Sequence, residues 1–507
     1  MVTKSFDPLA RASATAVSFK QLVQSRAPIA RPEIIGLLAQ PQTSKTGITY
    51  NKPFLSIGNA DDIGVISGFG SPMHLAAKKL FPLDKNGAKV PVYIVPIEDP
   101  TGGVAAAGDI AITGIATKTF QAFLTLYETE VEAAADVVGK VATNAQLNPA
   151  KAPRSIDLNG FGINALSFVI SKSDTATDII SSMTDLIDST PEVPYTYVDN
   201  DPTLDLTMKW EGPDGNNMML DVVDADGNSI TSGIYGVDIT VTTFTSGAGI
   251  PLLTDALAEM TDNFGFTRLI TQYSDTTSLD ALKSWADGLR DPLIAQYALA
   301  YHGRVYPESG AASGTVDVAA LKAIGDARND DSVNVVVGGS FGDSLRALTY
   351  EERDLLLKAG ISNFEKLSTL NYRVGDIATF YHPDGITNSI FKYDRDITLL
   401  GNIAYDQKTY FKYSDEWKSV ILVSNDDVTV NPDARSTDDV KAAINKRLDL
   451  YGLDAWIANV SEAKKNTVVE IDSSNPNRIN INLFLELSGV GRIVDITNFV
   501  GFFFGAA

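Results

Sequence analysis

The segment with the clearest chemical potential is Gly338-Gly339-Ser340-Phe341-Gly342, which fits G-x-S-x-G and directly follows the β-branched run from Val333 to Val337. A nucleophilic serine of this kind needs a strand-turn-helix corner that lifts its hydroxyl to the end of a sheet. Overlapping it, Gly342-Asp343-Ser344-Leu345 spells a second, shorter serine signature. Either serine needs a histidine base and an acid to orient it. The chain has three histidines, His74, His302 and His382, and only His382 follows the serines, with Asp376 ahead of it. The second signature places its acid three residues before the histidine, and position 379 here is Thr. A glycine-rich turn after a buried strand accounts for the same residues without chemistry. An esterase-like enzyme using a serine of the 338–345 turn is the alternative reading.

Other candidates are weaker. The run Asp224-Ala225-Asp226-Gly227-Asn228 lacks the Gly and Glu positions of a calcium-binding helix-loop-helix and reads as a hairpin turn. Gly68-Phe69-Gly70 is followed by Met73 where a dinucleotide fingerprint has its third glycine. No G-K-[ST] occurs. With no cysteine and scattered histidines, a transition-metal site is not expected. His74, at a helix start, and His302, beside Gly303, read as surface or capping residues. The pairs Asp61-Asp62, Asp330-Asp331 and Asp426-Asp427 read as solvated turns. The expectation is a protein that is not an enzyme and holds no cofactor and no metal.

The elements that would have to position any site follow from bulk properties and pattern. A chain of 507 residues exceeds one ordinary core, so several domains are expected. At 44% apolar and 21% charged it reads as globular. The apolar tail from Phe499 to Ala507 is far shorter than the roughly 20 residues that span a bilayer. The first residues lack the apolar core of a secretory signal. Against 41 basic residues stand 63 acidic ones, a net charge of −22, which argues against nucleic acid as a partner.

Residues 1–40 read as an extended arm, with Ala27-Pro28 and Arg31-Pro32 biased away from helix. Ile34 to Ala39 reads as a buried strand, Met73 to Phe81 as a helix and Val90 to Ile97 as a second strand, a unit that implies parallel pairing. From 109 to 245 short strands dominate: Ile110 to Thr113, Phe120 to Tyr127, Leu166 to Ser171, Leu204 to Trp210 and Val237 to Thr243. One helix stands among them, capped near Ser173 or Asp174, with Ala176, Ile179, Ile180, Met183 and Ile187 on one face. The α/β pattern resumes with helices over Asp255 to Phe264 and Ser278 to Leu289 around a strand, Arg268 to Gln272. Further helices are predicted over Val318 to Ile324 and Tyr350 to Lys358. Near the end, Ser436 or Thr437 caps a helix bearing Val440, Ile444, Leu448 and Tyr451 at helical spacing. From Ile479 to Leu487 a strand alternates, with Ile479, Ile481, Leu483, Leu485 and Leu487 on one face.

Five segments then resemble the Mu-type family of contractile tail sheath proteins. Glu98-Asp99-Pro100-Thr101-Gly102-Gly103-Val104-Ala105-Ala106-Ala107-Gly108 is similar to D-D-P-A-G-G-V-A-A-x-G. Tyr273-Ser274-Asp275-Thr276-Thr277-Ser278-Leu279-Asp280-Ala281-Leu282 is similar to Y-T-D-x-x-S-L-x-x-L, and Ile324-Gly325-Asp326-Ala327-Arg328-Asn329 to L-G-N-A-R-N. Leu348-Thr349-Tyr350-Glu351-Glu352-Arg353-Asp354-Leu355-Leu356-Leu357 resembles F-T-x-x-E-R-N-x-L-L, and Asn475-Pro476-Asn477-Arg478-Ile479-Asn480 resembles D-P-N-R-L-N. They stand in family order over about 380 residues. The N-terminal segment keeps only Val17-Ser18-Phe19 and Ser25-Arg26-Ala27 of V-Y-x-x-x-x-N-S-R-A, and 401–440 departs from the family's basic, helix-rich stretch.

The resemblance implies a structural virion protein of a phage tail, assembled in the host cytoplasm as stacked hexameric rings around a tail tube. Its implied partners are other copies of itself, the tube protein, and the baseplate and tail terminator proteins, with no nucleic acid and no membrane. The implied fold is multidomain, α/β plus α+β: a split α/β core with an inserted β-rich domain and terminal arms that augment neighbouring sheets. The expected division is an arm at 1–40, core at 41–108 and 246–400, an inserted outward domain at 109–245, an inner domain at 401–475 and linking strands at 476–507. Inter-subunit strand pairing is expected at Val17, Ser18, Phe19, Ile479, Ile481, Leu483, Leu485, Leu487, Ile493 and Ile496. Lys441 and Arg447, flanking the apolar stripe of the 436–451 helix, are expected to face an acidic tube wall. A passive array such as an S-layer or capsid component is the third reading, and an S-layer normally carries an export signal.

Overall fold

The computed structural model describes residues 28–56, 58–81, 90–128, 154–155, 165–226, 228–263, 265–271, 273, 276–289, 299–301, 336–338, 350–351, 364–368, 371–374, 394–417, 419–427 and 429–489. Two compact units divide them: one is 31–405, the other 406–489 together with 28–30. Val17, Ser18, Phe19, Ile493, Ile496, the helix expected over Val318 to Ile324 and most of that over Tyr350 to Lys358 lie outside the described residues.

The larger unit starts with β1 (Ile35–Ala39), whose five residues are all buried, and β2 (Phe54–Leu55). Two helices follow. α1 (Ala60–Ser67) begins where the Asn59 side chain accepts from the Asp61 N–H, with Asp61 and Asp62 set against the positive end of the helix. α2 (Pro72–Leu80) is capped by Ser71 and opens on proline, which has no N–H to leave unpaired. β3 (Val92–Pro96) then runs parallel to β1, with Ile35 opposite Val92 and Leu38 opposite Val95, as the strand-helix-strand pattern predicts.

The chain next builds two antiparallel sheets from β4 (Ala105–Gly114), β5 (Phe120–Glu128), β6 (Arg154–Ser155), β7 (Ala165–Ile170), β8 (Tyr195–Asp199), β9 (Thr203–Glu211), β10 (Met218–Asp224) and β11 (Val237–Thr245). One has the order β11-β4-β9-β8; in the other β5 pairs with β10, β6 and β7. In β9, Leu204, Leu206, Met208 and Trp210 are buried while Asp205 and Thr207 face water, the period of two that a half-buried strand requires. These side chains join Ile110, Ile112, Leu124, Ile170 and Val222 in one hydrophobic cluster with α3 (Ala176–Asp188). The cap of α3 is Thr175, not Ser173 or Asp174: Thr175 and Asp178 bond each other's backbone N–H, and Ser173 takes a positive φ of 77° to turn the chain into the helix. A one-turn helix, α4 (Ser232–Tyr235), precedes β11. The chain enters these sheets on β4 and leaves on β11, its neighbour, with Val237 opposite Gly114.

The α/β sheet is completed by α5 (Thr254–Asn263), β12 (Arg268–Thr271), α6 (Thr276–Leu289) and β13 (Leu299–Tyr301). Its order is β13-β12-β1-β3-β2, all parallel but β2. Leu38, Val95 and Leu269 meet Leu257, Met260, Leu282 and Trp285 of α5 and α6. Gly36 suits this closeness, since a Cβ there would lie 2.7 Å from the Leu269 side chain, which would have to shift. β14 (Val336–Gly338), β15 (Phe364–Ser368) and β16 (Asn371–Val374) form a separate antiparallel sheet with β16 in the centre.

α7 (Asp394–Tyr413) carries the chain into the second unit. There β17 (Ile421–Leu422) and β18 (Ala434–Arg435) pair in parallel. α8 (Thr437–Leu453) is opened by a reciprocal cap between Ser436 and Asp439 and buries Val440, Ile444, Leu448 and Tyr451 as its spacing predicts. β19 (Ile457–Ala458), α9 (Val460–Asn466), β20 (Val468–Ile471), β21 (Ile479–Asn482) and β22 (Glu486–Leu487) follow. The single strand expected from Ile479 to Leu487 is two: β21 lies antiparallel to β20 and β22 to β19, with 483–485 crossing from one ladder to the other. Among the described residues no helix is long and apolar enough to cross a membrane.

Candidate assembly interface

The second unit is organised around a carboxylate. Asp406 is fully buried and accepts from Arg447 Nε at 2.8 Å, from Arg447 Nη2, from the Tyr451 hydroxyl at 2.6 Å and from the Ile29 backbone N–H at 2.9 Å. The Arg447 side chain is only 9% exposed. Burial works against its charge, but the Asp406 contact outweighs this and raises the guanidinium above its ordinary value. Arg447 is buried and its charge is satisfied inside the unit by Asp406, where expectation had it on the surface. Lys441, one and a half turns away, is half-buried. The sequence pattern missed this because Arg447 sits beside the apolar stripe, and only the buried partner on α7 draws it inward.

The last described strands have a different character. The turn before β21 is built by Asp472, which accepts from the Ser474 hydroxyl at 2.6 Å and from the N–H groups of Ser474 at 2.9 Å and Asn475 at 3.1 Å. The Ser474 bonds, with help from Asn480, hold its carboxyl down to about 2. Arg478 N–H donates to the Asn475 carbonyl at 2.9 Å, and the Asp472 N–H to the Arg478 carbonyl at 2.8 Å, so 475–480 is the turn that launches β21. Beyond it Ile479 and Ile481 pack beside Val469 and Trp417. Yet Ile479, Ile481, Leu483, Leu485 and Leu487 are all only half-buried, and Phe484 on the opposite face is 63% exposed. Among the described residues these ladders have two strands each, fewer than the three or more that ordinarily stand alone in water.

In the larger unit the first resembling segment is the corner where the chain leaves the α/β sheet. Pro100 C=O accepts from Gly103 N–H at 2.8 Å, with Gly102 at φ +70°. Val104 and Ala248 exchange both backbone bonds, at 2.8 and 2.9 Å. At Gly108 a Cβ would come within 2.5 Å of the Thr242 carbonyl oxygen, so the two neighbouring strands can approach only without a side chain. Tyr273, Ser278 and Leu282 of the second segment are buried at and after the start of α6.

The catalytic candidates are not assembled in the described structure. Val336–Gly338 is a strand as expected, but Ser340, Ser344, Asp376, His302 and His382 lie outside the described residues. His74 does not sit on the surface: it is fully buried, because Gly64 and Phe69 close over its ring. The Asp224 turn is a hairpin whose carboxylate accepts from the N–H groups of Asp226 and Asn228 and the Tyr235 hydroxyl. Among the described residues no group of three His, Asp or Glu side chains could hold a metal ion.

No protein-family profile matches the sequence, and no curated protein matches it. Solved structures do resemble the chain as a whole. The sheath tail protein from Desulfitobacterium hafniense is 12% identical over 94% of this chain and 100% of that one, with a TM-score of 0.43. The sheath tail protein of Listeria innocua is 12% identical over 92% of this chain and 94% of that one, TM-score 0.43. The helical sheath of the anti-feeding prophage in its contracted state is 12% identical over 96% and 99%, TM-score 0.42. Overlaps and identities this low do not place the chain in a family.

Proposed function

We propose that this chain is the sheath subunit of a contractile tail, of the Mu-type family that its five segments resemble. It polymerises as stacked hexameric rings around a tail tube, and contraction of the sleeve drives the tube through the host envelope. The observation that carries this reading is the C-terminal segment from Ile479 to Leu487: its aliphatic side chains are only half-buried, and among the described residues its ladders have two strands each. Completing the cover of five such side chains is worth a substantial fraction of the roughly 1.5–3 kcal/mol each gains on full burial. A strand from another subunit supplies that cover and satisfies the open ladder edge, while bodies linked only through backbone bonds remain free to rotate. Such a head-to-tail contact does not close on itself and so builds a helix. On this reading Val17, Ser18, Phe19, Ile493 and Ile496 take part in the same exchange, Lys441 meets the tube, and 109–245 is an inserted domain on the outside.

Cutting the chain after Gly489 tests it, because every described hydrogen bond survives, including that of Ser488 N–H to the Trp456 carbonyl. The shortened protein should keep its melting temperature and remain monomeric in sedimentation velocity, whereas the full chain forms sleeves visible in negative stain. Ordered sleeves of normal length from the shortened chain would sink the proposal. In the same assay Lys441→Glu should weaken tube-templated assembly in dilute salt and leave tube-free assembly unchanged; equal behaviour with and without tube removes Lys441 from that surface.

A further inference from the structure

The 105–245 sheets are fastened to the α/β sheet at a joint built around two basic side chains, His74 and Lys209. Lys209, on β9, donates through Nζ to the Phe69 carbonyl at 2.8 Å and the Pro191 carbonyl at 2.9 Å. Its own carbonyl accepts from Thr43 N–H at 2.7 Å, and its N–H donates to Pro194 C=O at 2.9 Å. One ammonium thus ties the turn after α1 to the loop before β8. That turn holds Gly70 at φ +79°, and a Cβ there would fall on the Val193 carbonyl oxygen. Its shape depends on His74: the Gly70 N–H donates to His74 Nδ1 at 3.1 Å, and the Phe69 ring meets the imidazole edge-on with centroids 5.0 Å apart. His74 is fully buried and its Nε2 has no hydrogen-bond partner.

We propose that this joint is an acid-operated latch, in which a neutral His74 holds the 67–71 turn closed on the inserted sheets and a protonated His74 lets it go. A proton on Nδ1 turns the acceptor into a donor facing the Gly70 N–H, so that bond is lost. The Phe69-Gly70 turn then relaxes, and the Phe69 carbonyl leaves Lys209. Two cations oppose protonation of the ring, Lys78 from its own helix and Lys209 from β9, while Glu192 acts on Lys209 in the opposite sense to its burial. Burial, then Lys78 and Lys209, push the imidazole down to about 4 from its ordinary 6.5. Burial lowers Lys209 to about 8, so its ammonium is still in place at neutral pH.

The sign follows from that depression. A histidine that titrates lower inside the joint than outside favours the closed form above pH 6.5 and ceases to do so as pH falls toward 4. With those two values, lowering the pH from 7.5 to 5.0 multiplies the open population about 30-fold. The Gly70–His74 bond belongs to neither sheet's ladder, so each sheet system stays folded while the joint opens.

Amide exchange on the full chain, corrected for the intrinsic pH dependence of exchange, reads the opening directly. Segments 67–75 and 191–194 should exchange about 30-fold faster at pH 5.0 than at 7.5, while β1 and β4 keep their protection. His74→Gln retains an acceptor oxygen without titrating, and it should abolish the pH dependence while leaving exchange at pH 7.5 unchanged. Equal acceleration in wild type and His74→Gln, or none in wild type, overturns the latch. If the variant misfolds, the imidazole resonances of the wild type, only three in number, decide it instead: one must titrate well below 6, and a set all at or above 6.5 overturns the latch.

Discussion

Asp406→Ala is the sharpest perturbation the second unit offers. Asp406 is fully buried and receives the bidentate Arg447 guanidinium, the Tyr451 hydroxyl and the Ile29 N–H. Removing the carboxylate leaves a guanidinium that is 9% exposed without its counter-charge, a loss of about 3–5 kcal/mol. Two orphaned donors, the Tyr451 hydroxyl and the Ile29 N–H, add about 1 kcal/mol each. The total, about 5–7 kcal/mol, is comparable to the whole stability of an ordinary domain. Urea unfolding followed by amide exchange in α8 should therefore show this unit open in Asp406→Ala while β1 and β12 of the other unit keep their protection. The double variant Asp406→Leu with Arg447→Met removes both charges and should recover most of the loss, since a buried pair often exchanges for apolar side chains near neutrality. If Asp406→Ala costs less than about 1 kcal/mol, the value of an exposed pair, the hub is hydrated and the reasoning is wrong.

Two further outcomes follow from local geometry. Asp472→Asn should loosen the β20–β21 ladder in amide exchange; in wild type the same ladder should hold above pH 4 and weaken as pH falls through about 2, because a carboxylate bound by Ser474 and Asn480 contributes only while ionised. Excising 109–245 across a short Gly/Ser bridge should leave a soluble α/β unit with protected β1 and β12, since the chain enters these sheets on β4 and leaves on its neighbour β11; an insoluble product would make the inserted sheets part of the core.

Periodic elements were legible in the sequence. β1, β3, β9, α3 and α8 lie where their apolar spacing puts them, within a residue or two, because a period of two or 3.6 is imposed by burial on one face. What the spacing does not carry is pairing. The break between β21 and β22 lies inside an unbroken alternation, and only the presence of two separate partners, β20 and β19, splits it. The inward turn of Arg447 needs Asp406, 41 residues earlier, and the burial of His74 needs Gly64 and Phe69 against its ring. The partners of β21, β22 and Arg447 are set by backbone and polar contacts with other elements, and nothing in the local pattern announces them.

Two of the segments that suggested a family hold turns, at 100–103 and 475–478, and their demands are physical. An interior position of β9 asks only for an apolar side chain of suitable volume, so Leu, Met or Val serve almost interchangeably there. The 100–108 segment asks for more: Gly102 at positive φ in its turn, and at Gly108, within β4, no Cβ beside the Thr242 carbonyl. The turn at 475–480 uses the Asn475 side chain to accept from the Asn477 N–H and the Asn480 side-chain amide to donate to Asp472. Few residue types meet such demands, so a chain can drift to low identity throughout its strands and still spell its corners the same way. The corners also fix where the sheets meet: the first directs the chain into the inserted sheets, and the last aims β21 along the half-covered face from Ile479 to Leu487. The residues that resemble a sheath protein are thus the ones that set the direction of the strands proposed to join its subunits.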